Sequence, residues 1–125
     1  EQEAPGVLDL ANLWNECAGD LEMLEELVRL FRANLLEFLG ALKTNLTLLD
    51  YEQIESCAHK IKAGLKLMEG YKWLAQVEEL RELNRKQSGV ARMRQIYREL
   101  LGSFPELDSE LERALEQIKK DNSHG

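Results

Sequence analysis

Apolar residues recur at intervals of three and four along most of this chain, the spacing that lines them up on one face of a helix. The clearest run is Leu24, Leu27, Val28, Phe31, Leu35, Phe38 and Leu42. Gly19-Asp20 precedes it, the glycine ending one helix and Asp20 capping the next, which is predicted to reach about residue 47. Upstream, Leu10, Leu13, Trp14 and Cys17 mark a short helix that Asp9 can cap. Downstream, Asp50 with Gln53 three residues later forms a capping box in front of the stripe Ile54, Ala58, Ile61, Leu65 and Met68. Gly70 marks a turn. A fourth helix follows, from about Tyr71 to Lys86, packing through Leu74, Val77, Leu80 and Leu83 until Gln87-Ser88-Gly89 breaks it.

The last segment holds its helical phase through Met93, Ile96, Leu100, Phe104, Leu107, Leu111, Ala114 and Ile118, although Gly102 and Pro105 interrupt it. An interior proline removes one helical hydrogen bond and costs about 3 kcal/mol. The retained phase nevertheless predicts one long helix kinked near 101–105 rather than two unrelated ones. There is no strand-like alternation and no internal repeat. The expected fold class is all-α: an antiparallel four-helix bundle with a short N-terminal helix and a long C-terminal one. It is expected to form one domain over residues 8–119, with flexible ends at 1–7 and 121–125.

Composition narrows the function. A formal charge of −7 disfavours nucleic acid, whose phosphates need a basic face. No run approaches the ~18 consecutive apolar residues of a membrane span. Neither a signal-peptide pattern nor a nucleotide-binding Gly-rich loop is present. Cys17 and Cys57 stand singly on apolar phases and read as reduced, buried small hydrophobes, so neither a metal site nor a disulfide framework is expected. The chain opens at Glu1 without an initiator methionine and reads as a piece of something longer, cytoplasmic in either a free-standing or a fused form.

One residue stands out from the pattern. When the third helix is projected around its axis, the apolar stripe falls about 160–260° from His59, so the imidazole points away from the core. Glu55, Lys62, Ala63 and Lys66 share its outward side. Residues 56–72 carry four lysines (Lys60, Lys62, Lys66, Lys72) against Glu69, a net +3 in a chain whose remainder is −10. A neutral imidazole is a nucleophile near pH 7 and accepts a phosphoryl group on nitrogen. Nine residues past the N-cap, it lies beyond the reach of the helix dipole, so the added charge would need side-chain cations. Lys62 is one turn away; Lys66 is two turns along, about 10.5 Å in rise. Ala63 is small and leaves room for a partner to approach. Leu67 is a candidate apolar contact beside the ring, and Glu55 a candidate to orient it. His124 has no partners and is assigned no role.

The stretch Cys57-Ala58-His59-Lys60-Ile61-Lys62-Ala63-Gly64 resembles the A-H-x-L-K-G signature of histidine-containing phosphotransfer (HPt) domains. The likeness in the order of elements extends over roughly residues 8–118. It implies a phospho-accepting His59, with Lys62 steadying the phosphoryl group and Ile61 facing the core. Two glycines of the pattern are displaced. Ala63 holds the place of one, with Gly64 following; Glu69 holds the place of the other, ten after the histidine, with Gly70 following.

The resemblance implies a phosphorelay intermediate. His59 would take a phosphoryl group from the aspartate of a response-regulator receiver domain and pass it to another receiver, downstream of a hybrid sensor histidine kinase. Such a domain is a carrier without nucleotide-dependent kinase activity. It needs no cofactor of its own, and the Mg²⁺ belongs to the receiver. Lys60, Ala63, Leu67 and Glu55 would meet that partner, with Lys60, Lys62 and Lys66 complementing the receiver's acidic pocket and steering the encounter. The displaced glycines motivate an alternative, a bundle that binds receivers or other partners without accepting phosphate. A merely structural bundle is a third reading.

Overall fold

A computed structural model describes residues 8–122, which form five helices: α1 Ala11–Glu16, α2 Leu21–Leu48, α3 Tyr51–Leu67, α4 Tyr71–Lys86 and α5 Val90–Asn122. No strand occurs among the described residues. The four long helices make an antiparallel bundle in which each packs against its neighbours in the order α2, α3, α4, α5 and back to α2. The direction of each neighbour is visible in cross-helix pairs whose numbers run oppositely. From α2 to α3, Phe31 meets Gly64 and Glu37 meets Lys60; from α3 to α4, Glu55 meets Arg81 and Lys62 meets Glu78. From α4 to α5, Trp73 meets Ser103 and Glu79 meets Arg92; from α2 to α5, Glu25 meets Lys119 and Arg32 meets Asp108. Short connections enforce this arrangement, two residues between α2 and α3 and three at each later turn.

Local chemistry sets the helix starts. The Asp20 carboxylate accepts from the Met23 N–H at 3.1 Å and that of Asp50 from the Gln53 N–H at 3.1 Å, each satisfying a donor that the first turn leaves unpaired. At α1 the expectation is corrected: the N-cap is Leu10, and Asp9 instead accepts from the Ala11 N–H at 2.9 Å, one residue earlier than a capping aspartate would sit. Helix α3 ends in two bonds, Glu69 N–H to the Lys66 carbonyl and Gly70 N–H to the Leu65 carbonyl. This closure puts Glu69 at φ +57°, a left-handed conformation that glycine adopts most readily.

The core is one cluster built from Leu24, Val28, Phe31, Leu35 and Leu42 of α2, Ile54, Ala58, Ile61 and Leu65 of α3, and their counterparts on α4 and α5. The α4 stripe differs from the expected one. Trp73, Val77, Leu80 and Asn84 are buried, whereas Leu74 and Leu83 are only half-buried. Trp73 turns inward because its indole N–H finds the Ser103 hydroxyl at 3.1 Å and its ring meets Phe104 at 6.5 Å. Buried Asn84 donates its amide N–H to the Tyr51 carbonyl at 2.8 Å, while its Oδ1 is buried without a hydrogen-bond partner among the described residues. Cys17 is buried as expected, while Cys57 is only half-buried.

Helix α5 runs through Pro105 as a single element. Pro105 and Leu101, whose carbonyl loses its helical donor, both lie on the exposed side, where water can meet that carbonyl. Asp121 and Asn122, expected in a frayed tail, continue α5. The expectations for residues 1–7 and for His124 lie outside the described residues.

Candidate functional site

The apolar face of α3 is pinned to α2 on one flank and to α4 on the other, and this fixes what the opposite face presents. Toward α2 the helices approach closely at Gly64, where a Cβ would stand 2.9 Å from Phe31 Cδ1. Only glycine lets the α3 backbone come that near to the Phe31 ring without displacing it. Toward α4, the Asn84–Tyr51 bond and a series of ion pairs set the register. His59 lies midway along α3, exposed, as the projection requires. Ala63 and Lys66 are exposed beside it, and Leu67 is 45% exposed, an apolar side chain off the core stripe.

The charged residues do not form the uniform basic patch that the linear sequence suggests. Lys60 reaches across to Glu37 of α2 at 3.7 Å, and Lys62 is paired with Glu78 of α4 at 2.9 Å. Glu55 is held by Arg81, whose Nη2 and Nε donate to its carboxylate at 2.7 and 3.2 Å. Arg81 also approaches the second oxygen of Glu78 at 3.5 Å. The result is a continuous chain of alternating charge, Glu55–Arg81–Glu78–Lys62, along the α3–α4 seam next to His59. The basic excess of residues 56–72 is therefore offset by acidic side chains that the fold brings from other helices.

The electrostatics follow from these contacts. The Arg81 guanidinium keeps the Glu55 carboxyl below the usual carboxylate range, with smaller contributions from the imidazole of His59 and from Arg85. The Lys62 ammonium does the same for Glu78, helped by Arg81 and Lys66. On the other flank Cys57 faces a cleft between α2 and α3 that also includes Asn34, Glu37 and Lys60. Burial pushes its thiol up to about 11, so it is a poor nucleophile at neutral pH.

Among the residues singled out from the sequence, the fold brings His59, Ala63, Lys66 and Leu67 onto one open face. Glu55 and Lys62 lie at its α4 edge, tied down by partners, and Lys60 at its α2 edge. Glu78 and Arg81 were not foreseen. The available signal was their place one residue past Val77 and Leu80, on the flank of the α4 core stripe, where a helix meets its neighbour. Among the described residues no cluster of His, Cys, Asp or Glu could hold a metal ion, and no helix is long and apolar enough to cross a membrane. Compared with known proteins, the chain matches no family model, no curated protein and no solved structure.

Proposed function

We propose that this bundle is an HPt-like phosphorelay intermediate, with His59 as the residue that carries the phosphoryl group. The observation that carries the reading is the exposed imidazole halfway along α3, with small Ala63 and apolar Leu67 beside it and lysines within one or two turns. In the forward step a ring nitrogen of neutral His59 attacks the phosphorus of a receiver's aspartyl phosphate. The new N–P bond forms as the P–O bond to the aspartate breaks, and the carboxylate leaves with the electron pair. The ring keeps its other N–H. Catalysis is mostly positioning and charge stabilisation; the receiver supplies Mg²⁺, and this chain supplies the nucleophile, a docking face and nearby cations. Nucleotide does not enter.

The test is incubation with a phosphorylated receiver, followed by assay for an acid-labile, base-stable phosphoryl group. Label is expected on the wild type and absent from His59→Gln; equal labelling of the variant overturns the assignment. Ala63→Arg should block transfer by bulk while leaving helicity unchanged. The commitment of Lys62 to Glu78 favours a second reading, a module that binds receivers without accepting phosphate. Receiver binding that survives His59→Ala, with no label on the wild type, would select it.

A further inference from the structure

We propose that Glu78 sets how stably His59 holds a phosphoryl group, by competing with that group for the Lys62 ammonium. The inference rests on His59 as the acceptor. Lys62 stands one turn beyond His59 on the same helix, a separation at which side chains are neighbours. Its ammonium is engaged across the seam, 2.9 Å from Glu78 Oε2, and its side chain is 28% exposed. A phosphoryl group on the ring would carry close to two negative charges against the single charge of a carboxylate. The lysine stem is flexible and its head is a point charge, so it can exchange one anion for the other by side-chain rotation alone.

Arg81 makes this exchange inexpensive. Its guanidinium is anchored on Glu55 by Nη2 and Nε and its side chain is only 16% exposed, while Nη1 lies 3.5 Å from Glu78 Oε1. Glu78 therefore keeps a cation when Lys62 leaves. Of the neighbouring lysines, Lys60 is turned to Glu37 on the opposite flank, and Lys66, which acts on Glu78 without a direct ion pair between them, stands two turns from His59 against one for Lys62. Lys62 is thus the mobile partner, Arg81 the fixed one, and Glu78 the positioning residue between them.

Phosphoramidate gives an equilibrium readout without a receiver. Its P–N bond breaks, an N–P bond to the His59 ring forms, and ammonia leaves with the electron pair and takes up a proton. At a fixed phosphoramidate-to-ammonium ratio, Glu78→Gln should raise the ratio of phosphorylated to free His59 about three-fold, the scale of an exposed ion pair. The substitution is isosteric and half-exposed, so unchanged helicity is expected and is checked by circular dichroism. In a Lys62→Ala background the same substitution should have almost no effect, because the competition has lost its object. Label on His59 with no change in Glu78→Gln overturns this inference and leaves the relay reading standing. A three-fold gain that persists in Lys62→Ala also overturns it, since Glu78 would then act by direct repulsion. Absence of label on His59 from both phosphoramidate and a receiver overturns the inference and the relay reading together.

Discussion

Replacing Gly64 by alanine tests how closely the α3 backbone packs on the Phe31 ring of α2. Two effects oppose each other. In a helix interior, alanine is favoured over glycine by about 0.8–1 kcal/mol. Against this, the new methyl would lie 2.9 Å from Phe31 Cδ1 and 3.1 Å from Cε1. Phe31 is 4% exposed and enclosed by the α2–α3 core, so its ring cannot swing aside, and overpacking of this kind costs about 1–3 kcal/mol. The packing cost wins, and a net loss of about 1 kcal/mol is expected, or roughly 4 °C in Tm. Gly40 is the control: it is also helical, in α2, and nothing lies within 4 Å of an added Cβ. Gly40→Ala should stabilise by about 0.8–1 kcal/mol, so the two variants should differ by about 2 kcal/mol. Urea denaturation at pH 7, with unchanged m-values, provides the measurement. If both substitutions stabilise equally, the close approach at Phe31 is wrong, and with it the placement of α3 against α2.

Further predictions concern the turn after α3 and the seam beside it. Glu69→Gly should stabilise by about 1 kcal/mol by relieving a left-handed residue at φ +57°. Its cost is the exposed bond that Glu69 accepts from Asn12, and a net loss in urea midpoint would show that this tie between α1 and the turn outweighs the strain. Arg81→Met should make stability less dependent on acid pH. Glu55 has its carboxyl lowered by Arg81, so the pair contributes above the unfolded carboxylate value and loses that contribution as pH falls through the folded one. With Glu55 44% exposed, the wild-type advantage at pH 7 should be below about 1 kcal/mol and should shrink toward pH 3; a pH-independent difference would refute the pairing.

Most of the helix boundaries were legible because the signals that set them are local. Asp20 and Asp50 cap through contacts three residues ahead, and a left-handed residue follows α2, α3 and α4 within two positions, at Leu49, Glu69 and Gln87. Asp9 misled by one residue because an aspartate can accept from a nearby N–H without being the cap. On α4, the choice between Trp73 and Leu74 as the inward residue could not be made from spacing, since both continue a period of three and four. It was made by a hydroxyl on α5, thirty residues away, that satisfies the indole.

The same division runs through the candidate site. The outward direction of His59 follows from the sequence alone, because 3.6 residues per turn place it opposite Ile54, Ala58, Ile61 and Leu65. The resemblance around it is likewise a property of the linear chain. What the tertiary structure decided is the state of the surrounding charges. Linear proximity counted four lysines near His59, but electrostatic interaction falls with distance in space, and the rotation and register of α2 and α4 set Glu37, Glu78 and Arg81 beside α3. Periodicity specifies which face of one helix is buried; it carries no information on which residue of the next helix lies opposite. That register is settled by packing, at contacts such as Gly64 on Phe31 and Asn84 on Tyr51, and it decides which cations near His59 are already paired.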